Sequence, residues 1–369
     1  MYYQKSVVYR KILVVITVLI MVAYVSVCLV PFVNTSENWF IAVPGIIFPL
    51  LFFLLLILMV VWAFLKQRWV WGCMIALICG IQQIMAVFSF HFPHDFSTAK
   101  EPNTLRVMQW NVMGWDQDED QGNVEDGGDT YRPVMMSSVK GQDADVLCFD
   151  EFFEPKDTTF SKSNIASITA MGYPYHFFSP TKNYRNDSTS GVIIFSKYPR
   201  INSGEFDLDR NKRGDHLIFM DIKVKGTVFR IFATHLIAIN FAQWDDGQED
   251  RSVKDYGWIV SKLIKGYEYR YYQAEFVQQK IAESPYPAVL CGDFNDIPNS
   301  STYFKMKGNL QDPFLEKGYW TGRTTRQSFL FISPRIDYIF ADKKLKVLQF
   351  QTLHIPYSDH FPVLADLQY

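Results

Sequence analysis

The sequence lacks several features that would point to other kinds of protein. Its 369 residues include only five cysteines, and they show no CxxC or Cys/His spacing typical of a zinc site. No internal repeat with a period of roughly 20–50 residues is visible, so the pattern gives no sign of a solenoid or a propeller. Net positive charge is also missing, since the formal net charge is −2.

The charge is unevenly distributed along the chain. Of the 36 basic and 38 acidic residues, five and two lie within residues 1–99, which leaves 31 basic and 36 acidic residues and a net charge near −5 for the remainder. Long nucleic acids are bound mainly through Lys and Arg at their phosphates. A long nucleic acid is therefore a possible substrate that the charge does not favour.

Charged residues are absent from the interior of three apolar stretches at about 12–33, 40–65 and 70–90. Each stretch is near the roughly 20 residues that a helix needs to cross the hydrocarbon core of a bilayer. The first is too long for a usual signal peptide, and no small-residue cleavage site follows it. We therefore predict that residues 1–90 form a membrane anchor of three transmembrane helices.

The basic residues beside these stretches predict the orientation of the anchor. They precede the first stretch or follow the second, and none lies in the loop after the first; they are Lys5, Arg10, Lys11, Lys66 and Arg68. The positive-inside rule places these basic segments in the cytoplasm. Three spans then put the rest of the chain on the other side, so we predict an integral protein of an inner or plasma membrane with an extracytoplasmic domain.

A polar linker at 91–103 leads into a different pattern over 104–369. Short β-rich runs alternate with turn signals, and two segments, 131–140 and 267–284, have helical patterns. The predicted strands are 105–112, 145–151, 190–197, 216–224, 228–236, 288–294, 335–341 and 361–367. Many strands with few helices predict layered sheets covered by helices. Cys148 and Cys291 lie in two of these strands, where buried free thiols are expected and a disulfide is the alternative.

Polar residues lie in or directly after several of these strands, in six short motifs. The motifs are QWNV (109–112), FDE (149–151), ATHL (233–236), CGDFND (291–296), RIDY (335–338) and YSDH (357–360). Asn111, Glu151 and Asp359 offer the hard oxygen ligands that Mg²⁺ prefers. Such an ion can polarise a phosphoryl group and stabilise a leaving oxygen.

The other motif residues supply the remaining parts of a hydrolytic site. His235 and His360 titrate near neutral pH, and Asp337 can hold one imidazole in the required tautomer. Asp293 and Asn295 are two residues apart on an extended segment, so both can face one side and position a water. In-line attack of water on phosphorus requires these parts. The residues do not decide whether Asp293 or His360 removes the proton.

Together and in this order, the six motifs resemble those of the endonuclease/exonuclease/phosphatase family, which has a deoxyribonuclease I-like fold. The resemblance covers about 105–369. It implies an α+β fold, namely a four-layer α/β/β/α sandwich of two mainly antiparallel sheets that here follows three transmembrane helices. It also implies a metal-dependent phosphoesterase with Mg²⁺ or Mn²⁺ as its cofactor.

The resemblance also implies a role for each motif residue. Metal binding is expected of Asn111, Glu151 and Asp359, and catalysis of His235, Asp293, Asn295, Asp337 and His360. Asp337 and His360 resemble an Asp–His dyad, and His235 resembles a residue that binds phosphate or protonates the leaving group. One departure is Asp150, where the family commonly has Gln; this carboxylate either joins the site or turns away.

These expectations describe a hydrolase of phosphate esters, preferably phosphodiesters, that uses an activated water. Three spans beside the domain keep it near lipid head groups, which motivates a phospholipid-like substrate. The alternatives are an extracytoplasmic nuclease and a catalytically silent module that binds a phosphorylated ligand at the membrane. Of the arginines, we expect Arg335, the first residue of the RIDY motif, at the surface and Arg270 on a solvated helix face.

Overall fold

The computed structural model describes residues 2–93, 95–117, 131–156, 158, 162–183, 188–208, 216–238, 256–326 and 334–369. The N-terminal part of the chain is helical. The helices are α1 (Tyr2–Cys28), α2 (Trp39–Ala42), α3 (Phe48–Phe64), α4 (Trp69–Cys79) and α5 (Ile81–Val87), with 3-10 turns at Val30–Phe32 and Val43–Ile47. Their buried apolar side chains form one cluster that includes Tyr24, Phe48, Leu55 and Trp62.

Two helical segments, Val8–Phe32 and Trp39–Phe64, are long and apolar enough to cross a membrane. The third predicted stretch is not one straight helix, because α4 and α5 meet at Gly80 with a bend of 61°. A Cβ atom at Gly80 would lie 2.1 Å from the Tyr24 hydroxyl, so only glycine lets α1 approach the chain this closely. By length and composition, two or three helices can therefore span a bilayer.

The remainder of the chain builds two sheets. Their strands are β2 (Thr104–Asn111), β3 (Val146–Glu154), β4 (Tyr175–Asn183), β5 (Thr189–Ser196), β6 (Arg200–Asp207), β7 (His216–Val224), β8 (Thr227–Thr234), β9 (Ala288–Asp293), β11 (Asp337–Ala341), β12 (Lys346–Thr352) and β13 (Val363–Gln368). One sheet has the order β12-β13-β2-β3-β5-β4 and the other β11-β9-β8-β7-β6. Among the strand pairs formed by the described residues, only β2/β3 and β8/β9 are parallel.

The two sheets pack face to face, and helices cover their outer faces. Alternate side chains of both sheets, among them Val107, Ile194, Ile231 and Ile339, form the core between them. Helices α6 (Arg132–Gly141) and α7 (Asn164–Ala170) cover the six-stranded sheet, and α8 (Tyr256–Ala282) and α9 (Ser301–Lys307) cover the other. The predicted four-layer α/β/β/α sandwich is therefore confirmed.

A short strand pair connects this sandwich to the helices before it. Strand β1 (Ser89–Phe90) pairs with β10 (Tyr319–Trp320), which follows helix α10 (Pro313–Lys317). Cys148 and Cys291, in contrast, lie deep between the two sheets, and both are buried free thiols.

Candidate active site

The motif residues meet at one rim of the sandwich, where strands from both sheets end. Asn111 is the last residue of β2, and Asp293 is the last residue of β9. Asp337 opens β11 and lies directly opposite Asp293 in the antiparallel register. The topology thus brings together residues that are more than 180 positions apart in the sequence.

Glu151 reaches this rim through an irregular backbone. The pairing of β3 with β5 shifts register between Phe149 and Phe152, and Glu151 adopts a φ of 51°. A β-bulge of this kind changes the direction of a side chain at the end of a strand. A positive φ at a non-glycine residue costs on the order of 1–3 kcal/mol and persists only where the surroundings impose it. The surroundings here hold a half-exposed glutamate at the mouth of the site.

Asp293 occupies the centre of the site. Its Oδ2 accepts a hydrogen bond from Asn111 Nδ2 at 3.2 Å, and Asn111 Nδ2 also lies 3.0 Å from Glu151 Oε1. Its Oδ1 accepts the backbone N–H of Asn295 at 2.8 Å. His235 Nε2 lies 3.8 Å from Asp293 Oδ2 and 3.9 Å from Glu151 Oε1. Four of the predicted residues therefore surround one buried carboxylate.

Asn295 continues this network toward the ATHL motif. Its side-chain amide donates to the Leu236 carbonyl at 2.8 Å and lies 3.0 Å from His235 Nε2. Asn295 has a φ of 49°, a conformation that asparagine adopts more readily than most residues. The backbone turn lets the amide point back toward the site.

Asp337 and His360 form a buried pair. His360 Nδ1 lies 2.9 Å from Asp337 Oδ2 and 3.7 Å from Asp293 Oδ2. Burial alone would lower the pKa of His360, but the carboxylates of Asp337 and Asp293 outweigh it and hold the pKa well above its usual value. Burial raises the pKa of Asp337 to about 6 against the opposing effect of the imidazolium. The two carboxylates therefore favour the protonated form of the imidazole.

The backbone around this pair is fixed by two hydroxyl groups. Thr324 Oγ1 accepts the N–H of Asp337 at 3.0 Å. Ser358 Oγ donates to the Asn111 carbonyl at 2.8 Å and accepts the N–H of His360 at 3.1 Å. The Ser358 hydroxyl thus joins the YSDH motif to the first motif, and the Thr324 hydroxyl holds the backbone of the fifth.

Asp150 joins the site rather than turning away. It is fully buried, and its Oδ2 accepts the backbone N–H of Asp293 at 2.8 Å and the Gln109 side-chain amide at 2.5 Å. Burial raises its pKa to about 8, with Asp293 adding to the effect and His235 opposing it. Asp150 therefore holds the Asp293 backbone in place through this hydrogen bond, and its carboxyl group is neutral at pH 7.

The site can hold a divalent ion. Asp293, Asp337 and His360 each offer a ligand atom within 4.8 Å of the others. Crowded carboxylates with raised pKa values, as at Asp150 and Asp337, indicate excess negative charge that a cation would offset. The donors are mostly oxygens, the type of ligand that Mg²⁺ and Mn²⁺ accept.

The structure places the three predicted metal ligands in two groups. Asn111 and Glu151 are in contact. Asp359 lies on the other side of His360, with its Oδ1 3.9 Å from His360 Nε2. Among the described side chains, no hydrogen bond joins Asp359 to Asn111 or Glu151. Asn111 Nδ2 donates to both Glu151 Oε1 and Asp293 Oδ2, while Asn111 Oδ1 accepts the backbone N–H of Met113, so the carboxylates of Glu151 and Asp293 meet at this amide.

Two arginines contradict the expectations from sequence. Arg270 is buried rather than solvated, and it donates through Nη1 to the Asn295 carbonyl, beside Asp296. Arg335 is 2 % exposed rather than at the surface, and its Nη1 lies 2.7 Å from Asp312 Oδ2. The helical pattern of 267–284 marked Arg270 only as a polar residue, because the carbonyl that it supports is distant in sequence.

Comparison with known proteins agrees with this geometry. Residues 108–360 match the model of the Endonuclease/Exonuclease/phosphatase family. Residues 10–87 match a second family, described as a domain of unknown function (DUF8431). No curated protein matches the chain.

Solved structures share the fold at low sequence identity. An endonuclease/exonuclease/phosphatase from Beutenbergia cavernae is 20 % identical, with a TM-score of 0.52 and 72 % of each chain covered. The catalytic domain of human Nocturnin, solved with a bound sulfate anion, is 20 % identical, with a TM-score of 0.52 over 72 % of this chain and 93 % of that one. A mannosyl-6-phosphatase from Bacteroides thetaiotaomicron is 20 % identical, with a TM-score of 0.51 over 72 % of this chain and 100 % of that one.

The family match covers more than half of the chain and spans all six motifs, and the sandwich carries those motifs at one rim. The chain therefore belongs to the Endonuclease/Exonuclease/phosphatase family of hydrolytic enzymes.

Proposed function

We propose that the chain hydrolyses phosphodiesters at the non-cytoplasmic surface of a membrane, with a divalent metal ion and an activated water. The observation that carries this proposal is the buried group of Asp293, Asp337 and His360, edged by Asn111 and Glu151. Two carboxylates and an imidazole buried this closely are costly unless they bind a cation or perform chemistry.

The distances support a division of roles among these residues. The carboxylates of Asp337 and Asp293 raise the pKa of His360, which favours its protonated form and makes it a poor acceptor for a further proton. We assign the water proton to Asp293, which Asn295 and Asp150 hold in place through the backbone. The water oxygen then bonds to phosphorus in line with the leaving oxygen, whose bond breaks.

The remaining residues bind and orient the phosphoryl group. His235 and the Asn295 amide are in contact at 3.0 Å, and both can reach phosphoryl oxygens at the mouth of the site. The His360 imidazolium adds positive charge on the opposite side. Asn111 and Glu151 would hold the metal ion, which supplies Lewis-acid polarisation of the phosphoryl group when it is bound.

The ends of the helical anchor support the proposed orientation. Arg10 donates a hydrogen bond to Gln67, so the basic N-terminal segment lies beside the basic loop 66–68. At the opposite end, Thr35 Oγ1 contacts Ser301 Oγ at 2.8 Å. Helices α4 and α5 connect these two ends, as a third crossing requires. The positive-inside rule then places the catalytic region outside the cytoplasm.

This arrangement makes a lipid-like phosphodiester the substrate that the geometry favours. The helices end against the sandwich, and the net charge of the region after residue 99 does not attract long nucleic acids. A nuclease and a silent phosphate-binding module remain as outcomes of the experiment below.

The test measures turnover by the full-length protein in detergent, with Mg²⁺, Mn²⁺ or EDTA. The panel contains bis-p-nitrophenyl phosphate, plasmid DNA, sphingomyelin and phosphoinositides. We expect metal-dependent hydrolysis that falls by about 10²–10³-fold in His360→Ala, as loss of a group that stabilises charge in the transition state does. Cleavage of plasmid DNA alone would favour the nuclease. Metal binding without any turnover would favour the binding module.

A further inference from the structure

A cavity lies between the membrane helices and the catalytic region. Its volume is about 420 Å³, within the roughly 300–1,000 Å³ of small-molecule sites. The wall from the anchor includes Gly45, Leu50 and Phe53, and the facing wall includes Pro298 and Trp320. Most of these groups are apolar, so the cavity suits a hydrocarbon.

The cavity lies where the apolar helices meet the catalytic region. Its anchor wall spans 45–53, in the first half of the apolar segment Trp39–Phe64, whose beginning faces the catalytic region. A membrane lipid beside this end of the anchor would have a hydrocarbon chain within reach of the cavity.

The same cavity borders the active site through two chain segments. Ile297 lines it and follows Asn295 by two residues, and Arg335 lines it and precedes Asp337 by two. Two residues span at most about 7 Å. Asn299 fixes one segment to the anchor, because its Nδ2 donates to the Val27 carbonyl at 3.3 Å.

Two buried polar atoms on the cavity wall have no hydrogen-bond partner in the part of the chain that the structure describes. They are the Asn299 Oδ1 acceptor and the Arg335 Nε donor. Both residues are at most 2 % exposed, and a buried polar group without a partner costs about 1–3 kcal/mol. Because these atoms are almost inaccessible, the surface that the cavity offers to a ligand is chiefly apolar.

We propose that this cavity binds one hydrocarbon chain of a membrane lipid whose phosphodiester lies in the active site. The inference deepens the proposed function and rests on it. The anchor then forms half of the substrate site, and the enzyme selects long-chain phosphodiesters over soluble ones. Trp320 closes one side, with its ring centroid 5.8 Å from that of Phe53 and 5.5 Å from that of Phe88.

The experiment compares p-nitrophenyl hexadecyl phosphate with p-nitrophenyl ethyl phosphate, which share the reacting group, on full-length protein in nanodiscs. Leu50→Trp and Thr321→Trp fill the cavity from opposite walls. Ile57→Trp is the control, two turns along α3 on the same helix face but outside the cavity. We expect a preference for the hexadecyl ester of at least about tenfold in kcat/KM, because of the buried chain. Leu50→Trp and Thr321→Trp should abolish this preference, and Ile57→Trp should retain it. Turnover of the ethyl ester should be equal in the wild type and the three variants.

A second measurement does not depend on turnover. A hexadecyl phosphodiester with a photoreactive diazirine near the end of its chain should label the cavity walls, and Leu50→Trp should reduce that labelling while Ile57→Trp does not. Equal kinetics of Leu50→Trp and Ile57→Trp, or equal labelling of these two variants, would overturn the chain-binding site. Failure to hydrolyse either ester, with labelling still sensitive to Leu50→Trp, would instead count against the proposed catalytic function.

Discussion

Replacing Asp150 with asparagine should make the protein less sensitive to rising pH. Burial raises the pKa of Asp150 to about 8, whereas an unfolded aspartate titrates near 3.9. Between these values the folded protein holds a proton that the unfolded chain has released. The stability that this group contributes is therefore complete below about pH 4 and is lost as the pH rises through that window to about 8.

The size of the effect follows from the width of the window. Each pH unit inside it costs about 1.4 kcal/mol, so between pH 5 and pH 8 the wild type should lose on the order of 3–4 kcal/mol through this one group. The amide introduced by Asp150→Asn would not titrate, and its oxygen can still accept the Asp293 N–H. The variant should therefore escape this loss.

The assay is thermal unfolding of the full-length protein in detergent with EDTA, at pH 5 and pH 8. Other titrating groups change the Tm of both proteins alike, so their effect cancels when the Tm shift of one protein is subtracted from that of the other. We expect the Tm of the wild type to fall by several degrees more than that of Asp150→Asn. Asp207→Asn, which removes an exposed carboxylate, should behave like the wild type. An equal shift in wild type and Asp150→Asn would refute the buried neutral acid.

Three further predictions concern packing, strain and orientation. Arg335→Ala should lower the free energy of unfolding by about 3–5 kcal/mol, because it leaves the buried Asp312 carboxylate without its ion-pair partner. Lys344→Ala, at an exposed position, should have little effect, and equal stability of the two variants in denaturant or thermal unfolding would contradict the ion pair. Glu151→Gly should abolish turnover without lowering Tm, since glycine relieves the positive φ; a marked fall in Tm would argue against stored strain. In intact cells, Ser36→Cys should react with an impermeant maleimide and Gln67→Cys should not, and the reverse pattern would invert the proposed orientation.

The sequence predicted most of the catalytic sandwich because its central strands are long apolar runs. It missed β4, β6 and β12, which lie toward or at the sheet edges and carry exposed polar residues that interrupt the alternation. It also began helix α8 at 267, whereas the structure begins it at Tyr256. The break at Gly80 could not be foreseen, because it depends on contact with Tyr24 from another helix.

The sequence predicted the residues of the candidate site more fully than the contacts between them. Strand-end motifs identified Asn111, Asp293 and His360, since short polar motifs stand out against apolar strands. They could not show that Asp150 supports the Asp293 backbone or that Arg270 supports the Asn295 carbonyl. These contacts join segments far apart in the chain, and only the packed sandwich brings them together.

The most direct test of the central claim is hydrolysis of bis-p-nitrophenyl phosphate by the full-length protein and by Asp293→Asn, each with Mg²⁺ and with EDTA. The substitution keeps the shape of the side chain and removes the carboxylate that faces His360 and Asn111. The account predicts Mg²⁺-dependent turnover by the wild type and a loss of about 10²–10⁴-fold in the variant at an unchanged Tm. Equal turnover by the two proteins, or turnover that EDTA leaves intact, would contradict it.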